Sequence, residues 1–223
     1  GAIGNQYFRY YSTELAESIT LSGQLSIRWI MNALNDFLNK TLETTNYDYV
    51  VASDTDSVYL RLGNLVDRIL PDCDDKDKIT NFLDKSSKEI IIPFIKKKYD
   101  ELSSLMNAYE NKMVMDREVI ADKGIWTAKK RYMLNVIDSE GVRYETPKMK
   151  IMGIETTRSS TPQIIRSELK KAIKIIMYDD EETMQKFIAD FREKFDTFDV
   201  ETVAFPRGVN NLSTYKDSTH IYR

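Results

Sequence analysis

The sequence predicts an α+β protein, an antiparallel sheet packed on long helices and followed by a mainly helical stretch. Three observations carry that expectation. Apolar residues recur at helical period from Ser12 to about Lys40 and again from Lys78 to Tyr109. The alternation changes to that of strands over Lys112–Ile120, Gly124–Ile137 and Val142–Glu145, with Asp138-Ser139-Glu140-Gly141 as a hairpin turn. From Thr161-Pro162 the helical period returns, through Met177 and again from about Glu181 to Phe195.

In the first helix, Leu15, Ile19, Leu25, Ile30, Leu34 and Leu38 belong to the stripe, with Ser12 or Thr13 as cap and Glu14 and Glu17 in the favourable first turn. A hairpin follows at 47–62, built from the runs Tyr47–Ala52 and Val58–Leu62. Residues 64–70 read as a short helix, and Pro71 with the acidic cluster Asp72–Asp77 reads as a loop. The second long helix buries Phe82, Ile90, Phe94, Tyr99, Leu102 and Leu105, and Pro93 is placed to kink it. Thr161 as N-cap with Pro162 at the first helical position opens the last helical stretch. The final 25 residues are polar and irregular. Composition changes from strands to basic helices around residues 155–161, the expected domain boundary.

With 42% hydrophobic and 30% charged residues, this is the composition of an ordinary globular chain. No apolar run approaches the roughly 18 residues needed to span a bilayer, so no membrane partner is expected. The start Gly1-Ala2-Ile3-Gly4-Asn5 lacks the features of a secretory signal and a starting Met, from which a processed end or a cut is expected. One cysteine, Cys73, excludes an internal disulfide and favours a reducing compartment. A net charge of −3 argues against a protein that coats nucleic acid indiscriminately, but the distribution matters more than the sum. Bases cluster at Lys96-Lys97-Lys98, Lys129-Lys130-Arg131, Lys148–Lys150 and Arg166–Lys174, and acids elsewhere.

Asp54-Thr55-Asp56-Ser57 is the most informative run. Residues i and i+2 of an extended strand share a face, so a tight hairpin tip can present both carboxylates to a divalent cation. Oxygen donors of this kind suit Mg²⁺, which takes one or two carboxylates together with substrate phosphates. Two such ions make the geometry of nucleotidyl transfer. The same run also reads as a polar turn, since Asp, Thr and Ser are common turn formers.

Lys129-Lys130-Arg131-Tyr132 falls at the start of an expected strand, Lys129 and Arg131 on one face, Lys130 and Tyr132 on the other. That alternation can direct one base to a phosphate backbone and another to a reacting site, with Tyr132 as a flat surface for sugar or base. A solvated edge strand guarded by lysines fits equally well. Asp116 and Glu118 share a face of a neighbouring strand, with Arg117 pointing away to pair with an acid. Lys148 and Lys150 share another strand face, ahead of Ser159, Ser160 and Thr161, whose hydroxyls and backbone amides at a helix start suit phosphates. His220 is the only histidine, which leaves little for His-based metal sites or Ser-His and Cys-His catalysis.

Taken in order, these pieces resemble the C-terminal palm and the beginning of the thumb of family B DNA polymerases, of the kind found in T4-like bacteriophages. Gly1–Asn5 followed by Phe8-Arg9-Tyr10-Tyr11 is similar to the segment just after the fingers motif, and Asp54-Thr55-Asp56-Ser57 to the metal-binding motif C. Asp116-Arg117-Glu118, Trp126-Thr127, Lys129–Tyr132, Lys148–Gly153 and Ser159–Pro162 then follow in the family's order. The resemblance covers essentially the whole chain. One departure is Ala52-Ser53, where the wider family has Tyr-Gly before its Asp-Thr-Asp.

The resemblance implies a palm-type antiparallel sheet over 1–155 and an incomplete, mainly helical start of the thumb over 156–223. It implies a DNA-directed DNA polymerase as the parent enzyme, with Mg²⁺, primer–template DNA and deoxynucleoside triphosphate as partners, in the cytoplasm of a phage's host. Asp56 would be a direct metal ligand, Asp54 a supporting carboxylate and Glu118 an outer one. Lys129, Lys130, Arg131 and Tyr132 would hold the primer terminus, Lys130 next to the chemistry, while Lys148, Lys150, Ser159, Ser160 and Thr161 would contact duplex backbone. The other essential aspartate (motif A), the fingers and the exonuclease are expected on an N-terminal portion that this sequence does not include. The isolated chain is therefore expected to be inactive. The alternatives are a C-terminal subunit of a naturally split polymerase, a non-catalytic duplex-DNA-binding module and, further off, an Mg²⁺-dependent nuclease.

Overall fold

The first long amphipathic stretch becomes α1, Thr13–Thr41. Its N-terminus is capped by Ser12, whose hydroxyl accepts from the Leu15 amide at 3.2 Å. The structure, a computed structural model, describes residues 1–208, 210 and 211, so His220 lies outside the described residues. A hairpin, β1 (Val50–Asp54) and β2 (Ser57–Leu60), follows α1. Then come α2 (Gly63–Ile69), α3 (Lys76–Ser86) and α4 (Ile92–Leu105). A second antiparallel sheet is made of β3 (Val119–Ala128), β4 (Arg131–Ser139) and β5 (Val142–Met152), in that order. The helices α5 (Gln163–Tyr178), α6 (Glu181–Phe195) and the short α7 (Val200–Val203) close the described chain. The expected α+β class is what forms. No helix of the described residues is long and apolar enough to cross a membrane.

Two compact units make up the chain: residues 1–121 with 136–148, and residues 122–135 with 149–223. The core of the first is the second half of α1 against α4 and the hairpin. Ile30 and Leu34 are fully buried with Val50, Ile91, Ile95, Tyr99 and Leu102. Full burial of each such aliphatic side chain is worth roughly 1.5–3 kcal/mol, so this cluster is what seats the hairpin on the helices. The Trp29 indole donates to the Lys98 carbonyl at 2.9 Å, and Phe37 stacks on Phe94 with centroids 4.4 Å apart. The core of the second unit joins Met133 to Ile173 and Met177 of α5, with Ile125, Met149, Ile151 and Ile154 around them.

The stretch expected as one helix from Lys78 to Tyr109 is two helices joined by a π-helical turn, Ser87–Ile91. Pro93 has no amide, and its ring would press on the carbonyl four residues back. The wider turn accommodates this, and the Ile92 amide bonds to the Ser87 carbonyl, five residues away.

Four local expectations are corrected. Residues 114–118 alternate in exposure as a strand does, yet β3 begins only at Val119, so Asp116 and Glu118 lie ahead of the strand. Lys129-Lys130 is a two-residue turn between β3 and β4 rather than the start of a strand, with Lys130 at φ 60. Asp56 sits in the Thr55-Asp56 turn and Asp54 at the end of β1, so the two do not share a strand face. The N-cap of α5 is Pro162, not Thr161, which is buried one residue earlier. The Asp138–Gly141 hairpin forms as expected: Glu140 (φ 52) and Gly141 (φ 89) are both left-handed, the type I′ turn that matches strand twist.

Candidate nucleotidyl-transfer and duplex-binding elements

In the first unit, the carboxylate hairpin is hung from α1 by two asparagines. The Asn35 side-chain oxygen accepts from the amides of Tyr49 and Val50 at 2.9 and 3.0 Å, and its nitrogen donates to Asp48 at 3.0 Å. One turn on, Asn39 accepts from the Tyr47 amide at 2.9 Å and donates to the Tyr47 carbonyl at 2.7 Å. The i, i+4 spacing of two asparagines on an amphipathic helix is the sequence signal for this role.

β1 then carries a bulge between Val50 and Ala52 and pairs Ser53 with Val58 and Asp54 with Ser57. Bulges re-aim the side chains that follow them. The tip folds back on Asp54. The Asp56 amide donates to the Asp54 carbonyl at 2.7 Å, the Ser57 hydroxyl to the same oxygen at 3.1 Å, and the Thr55 hydroxyl to the Asp54 carboxylate at 3.1 Å. Thr55 is held at φ 56. Asp54 is half-buried and Asp56 exposed. Tyr99 of α4 is buried near this tip: burial first, and then the Asp56 charge, push its hydroxyl above the usual tyrosine range.

Glu118 does not join these two acids. Among the described residues, no group of three acidic, histidine or cysteine side chains could hold a metal ion. Glu118 instead lines an open depression of about 480 Å³ with Lys88, Ile92, Asp116, Arg117, Glu140 and Gly141. Its carbonyl accepts from the Glu140 amide at 2.7 Å. The expected acid partner of Arg117 is there twice over. The buried guanidinium bonds to Asp84 at 2.5 Å and to Asp138, which also accepts from the Gly141 amide at 3.0 Å. Arg143 reaches Asp77 at 2.7 Å and Asn81 at 3.0 Å. Lys88, against an opposing effect of burial and with help from Arg117, holds Asp84 below the usual carboxylate range. Burial would raise Asp138, but Arg117 and the Gly141 amide outweigh it. Lys148, exposed on β5, lies over the Tyr144 ring at 4.1 Å.

In the second unit, Lys129, Lys130 and Arg131 are all exposed at the β3–β4 tip. Tyr132, the flat surface the sequence suggests for a sugar or base, is buried at 6% exposure and stacks with Trp126 at 6.4 Å. Trp126 in turn folds back over Gly124, where a Cβ would come within 2.9 Å of its ring. Lys150 is half-buried, and Ser159 and Ser160 are exposed ahead of α5. No side chain caps that helix. At the other end of α5, Lys123 donates to the Met177 carbonyl at 2.6 Å, and the Tyr178 hydroxyl, bonded to Asp122 and Asn135, is pushed up to about 12, by burial first and then by Asp122.

The sequence belongs with the family B DNA polymerases of T4-like phages. The chain is 37% identical to the DNA-directed DNA polymerase of Enterobacteria phage T4, over 97% of its own length and 25% of that protein's. To the DNA-directed DNA polymerase of Escherichia phage RB69 it is 38% identical, over 96% of its length and again 25% of the relative's. The chain thus spans about a quarter of the length of these relatives. No protein-family model matches it.

Proposed function

We propose that this chain is the C-terminal palm (1–155) and the start of the thumb (156–223) of a DNA-directed DNA polymerase, a division by role rather than by packing. The observation that carries this is the match to two phage polymerases along almost the whole chain, with the Asp54–Ser57 run raised to an exposed hairpin tip. The substrates are primer–template DNA and a deoxynucleoside triphosphate, and the setting is the host cell of a phage, in its cytoplasm.

Asp56, with Asp54 beside it, offers hard oxygen donors of the kind Mg²⁺ takes from protein, one or two carboxylates with the rest from phosphate and water. Two carboxylates fit one half of a two-metal site, and the remaining aspartate belongs to a companion portion carrying motif A, the fingers and the exonuclease. Mg²⁺ held there would stabilise the attacking and leaving oxygens as the primer 3′-hydroxyl displaces pyrophosphate from the α-phosphate. Glu118 acts as a more distant carboxylate. Lys129, Lys130 and Arg131 hold the primer end, with Lys130 nearest the reaction and Tyr132 packing beneath. A lysine in the minor groove meets acceptors that every correct pair presents, so it checks pairing without reading sequence. Lys148, Lys150, Ser159, Ser160 and Thr161 contact the backbone, the uncapped α5 amides adding donors.

Primer extension tests the reading. The pure chain should extend nothing, and addition of the companion portion should restore synthesis. In that reconstituted enzyme, Asp56→Ala should lower the rate by about 10³-fold or more, on the scale of losing a main electrostatic element of catalysis. Near-normal synthesis by Asp56→Ala would leave the chain a duplex-binding module instead.

A further inference from the structure

β5 ends at Met152, and Gly153 follows at φ +67, in the left-handed region. A Cβ on Gly153 would stand 2.1 Å from the Lys130 carbonyl oxygen, and 3.2 Å from both the Lys130 carbonyl carbon and Arg131 Cγ. The first of these is backbone and cannot swing aside. Glycine is thus required twice, by its own conformation and by the approach of the turn. Lys130 is itself left-handed at φ 60, a conformation a lysine keeps only where its surroundings hold it.

We infer that Gly153 is the positioning residue of the basic turn: the chain leaving β5 seats against the Lys130 carbonyl and so fixes the direction in which Lys129, Lys130 and Arg131 are presented to a DNA duplex. This rests on the polymerase reading, in which that turn grips the primer. Moving the Lys130 carbonyl to admit a side chain at 153 changes the dihedral angles on either side of it. The lysine side chains and the step into Arg131 turn with it. Neither Gly153 nor its backbone need touch DNA for this.

The test compares four forms of the chain by anisotropy of a labelled primer–template across salt concentrations: wild type, Lys129→Ala with Lys130→Ala, Gly153→Ala, and the neighbouring control Met152→Ala. Gly153→Ala should weaken duplex binding by about tenfold, and should flatten the salt dependence by about one phosphate contact or more, as the lysine variant does. A role in folding alone would leave that slope unchanged in the folded fraction. Met152→Ala should bind as wild type does. If the lysine variant loses affinity and slope while Gly153→Ala keeps both, the inference is overturned and the polymerase reading stands. If the lysine variant also binds unchanged, the reading itself falls and takes the inference with it. A readout without DNA comes from the backbone amide shifts of residues 128–132: Gly153→Ala should move them, and unmoved shifts overturn the inference alone. Should Gly153→Ala fail to fold, one glycine inserted after Gly153 brings no side chain yet unseats the turn; normal binding and slope in that variant would overturn the inference equally.

Discussion

Arg117 lies 9% exposed between Asp84 of α3 and Asp138 of β4, and Asp138 is itself 4% exposed. Charges this far from water need partners, and here Lys88, Arg143 and the Gly141 amide add to those of the two carboxylates, while Arg117 Nε is buried without one. Both carboxylates have folded-state pKa values below their ordinary ones. Their contribution to stability is therefore complete above the unfolded carboxylate value, near 3.9. It is lost as pH falls through the lower folded values. Acid unfolding followed by circular dichroism should show this as a steep loss of stability below about pH 4, and Asp138→Asn should be less stable at neutral pH but shallower in its acid dependence. Equal slopes for the two proteins would count against the network. The pairing of Arg117 with an acid was legible in the sequence because a lone arginine between acids has few other fates. Its choice of Asp84 and Asp138 was not, because those partners lie 33 and 21 residues away along the chain.

At the scale of elements, the carboxylate hairpin owes its place to α1. Asn35→Ala removes the acceptor for two backbone amides and should cost about 1–3 kcal/mol, read by denaturant unfolding, with faster amide exchange along β1 and β2. The ends of α1 were legible from Ser12 and the apolar period, and the Asp138–Gly141 turn from its Gly and its acids, because each carries its own local chemistry. The Lys129-Lys130 turn was not. Its residues have none of the usual left-handed preference, so a period of two runs straight through it. Gly153, whose close approach to the Lys130 carbonyl accompanies the bend, lies 23 residues further on. Residues 114–118 mislead for the opposite reason, alternating in exposure like a strand but lying ahead of the ladder that starts at Val119. Of the candidate site, the two carboxylates at a tip and the exposed lysines were legible; the turn geometry, the buried Tyr132 and the separation of Glu118 from the acidic tip depend on packing.

For the whole molecule, an exposed apolar stretch runs from the N-terminal aromatics into α1: Tyr7 is 88% exposed, Tyr10 66%, Leu15 57%, Ile19 62% and Leu21 54%. A surface of this kind marks a place for a partner or a route to association. In the enzyme proposed above, the companion portion would cover it. Alone, the chain should associate with itself as its concentration rises. Leu15→Glu with Ile19→Glu should return it to monomer in sedimentation velocity, and an unchanged association would place the contact elsewhere. The same helix is seated at its other end, where Ile30 and Leu34 are fully buried, whereas residues 17–25 are all exposed. An isolated helix of fewer than about 12–15 residues is marginal in water. The first half of α1 should therefore open and close many times for each opening of the second. One continuous helix would show two lifetimes, and a companion laid over its exposed half would bring them together.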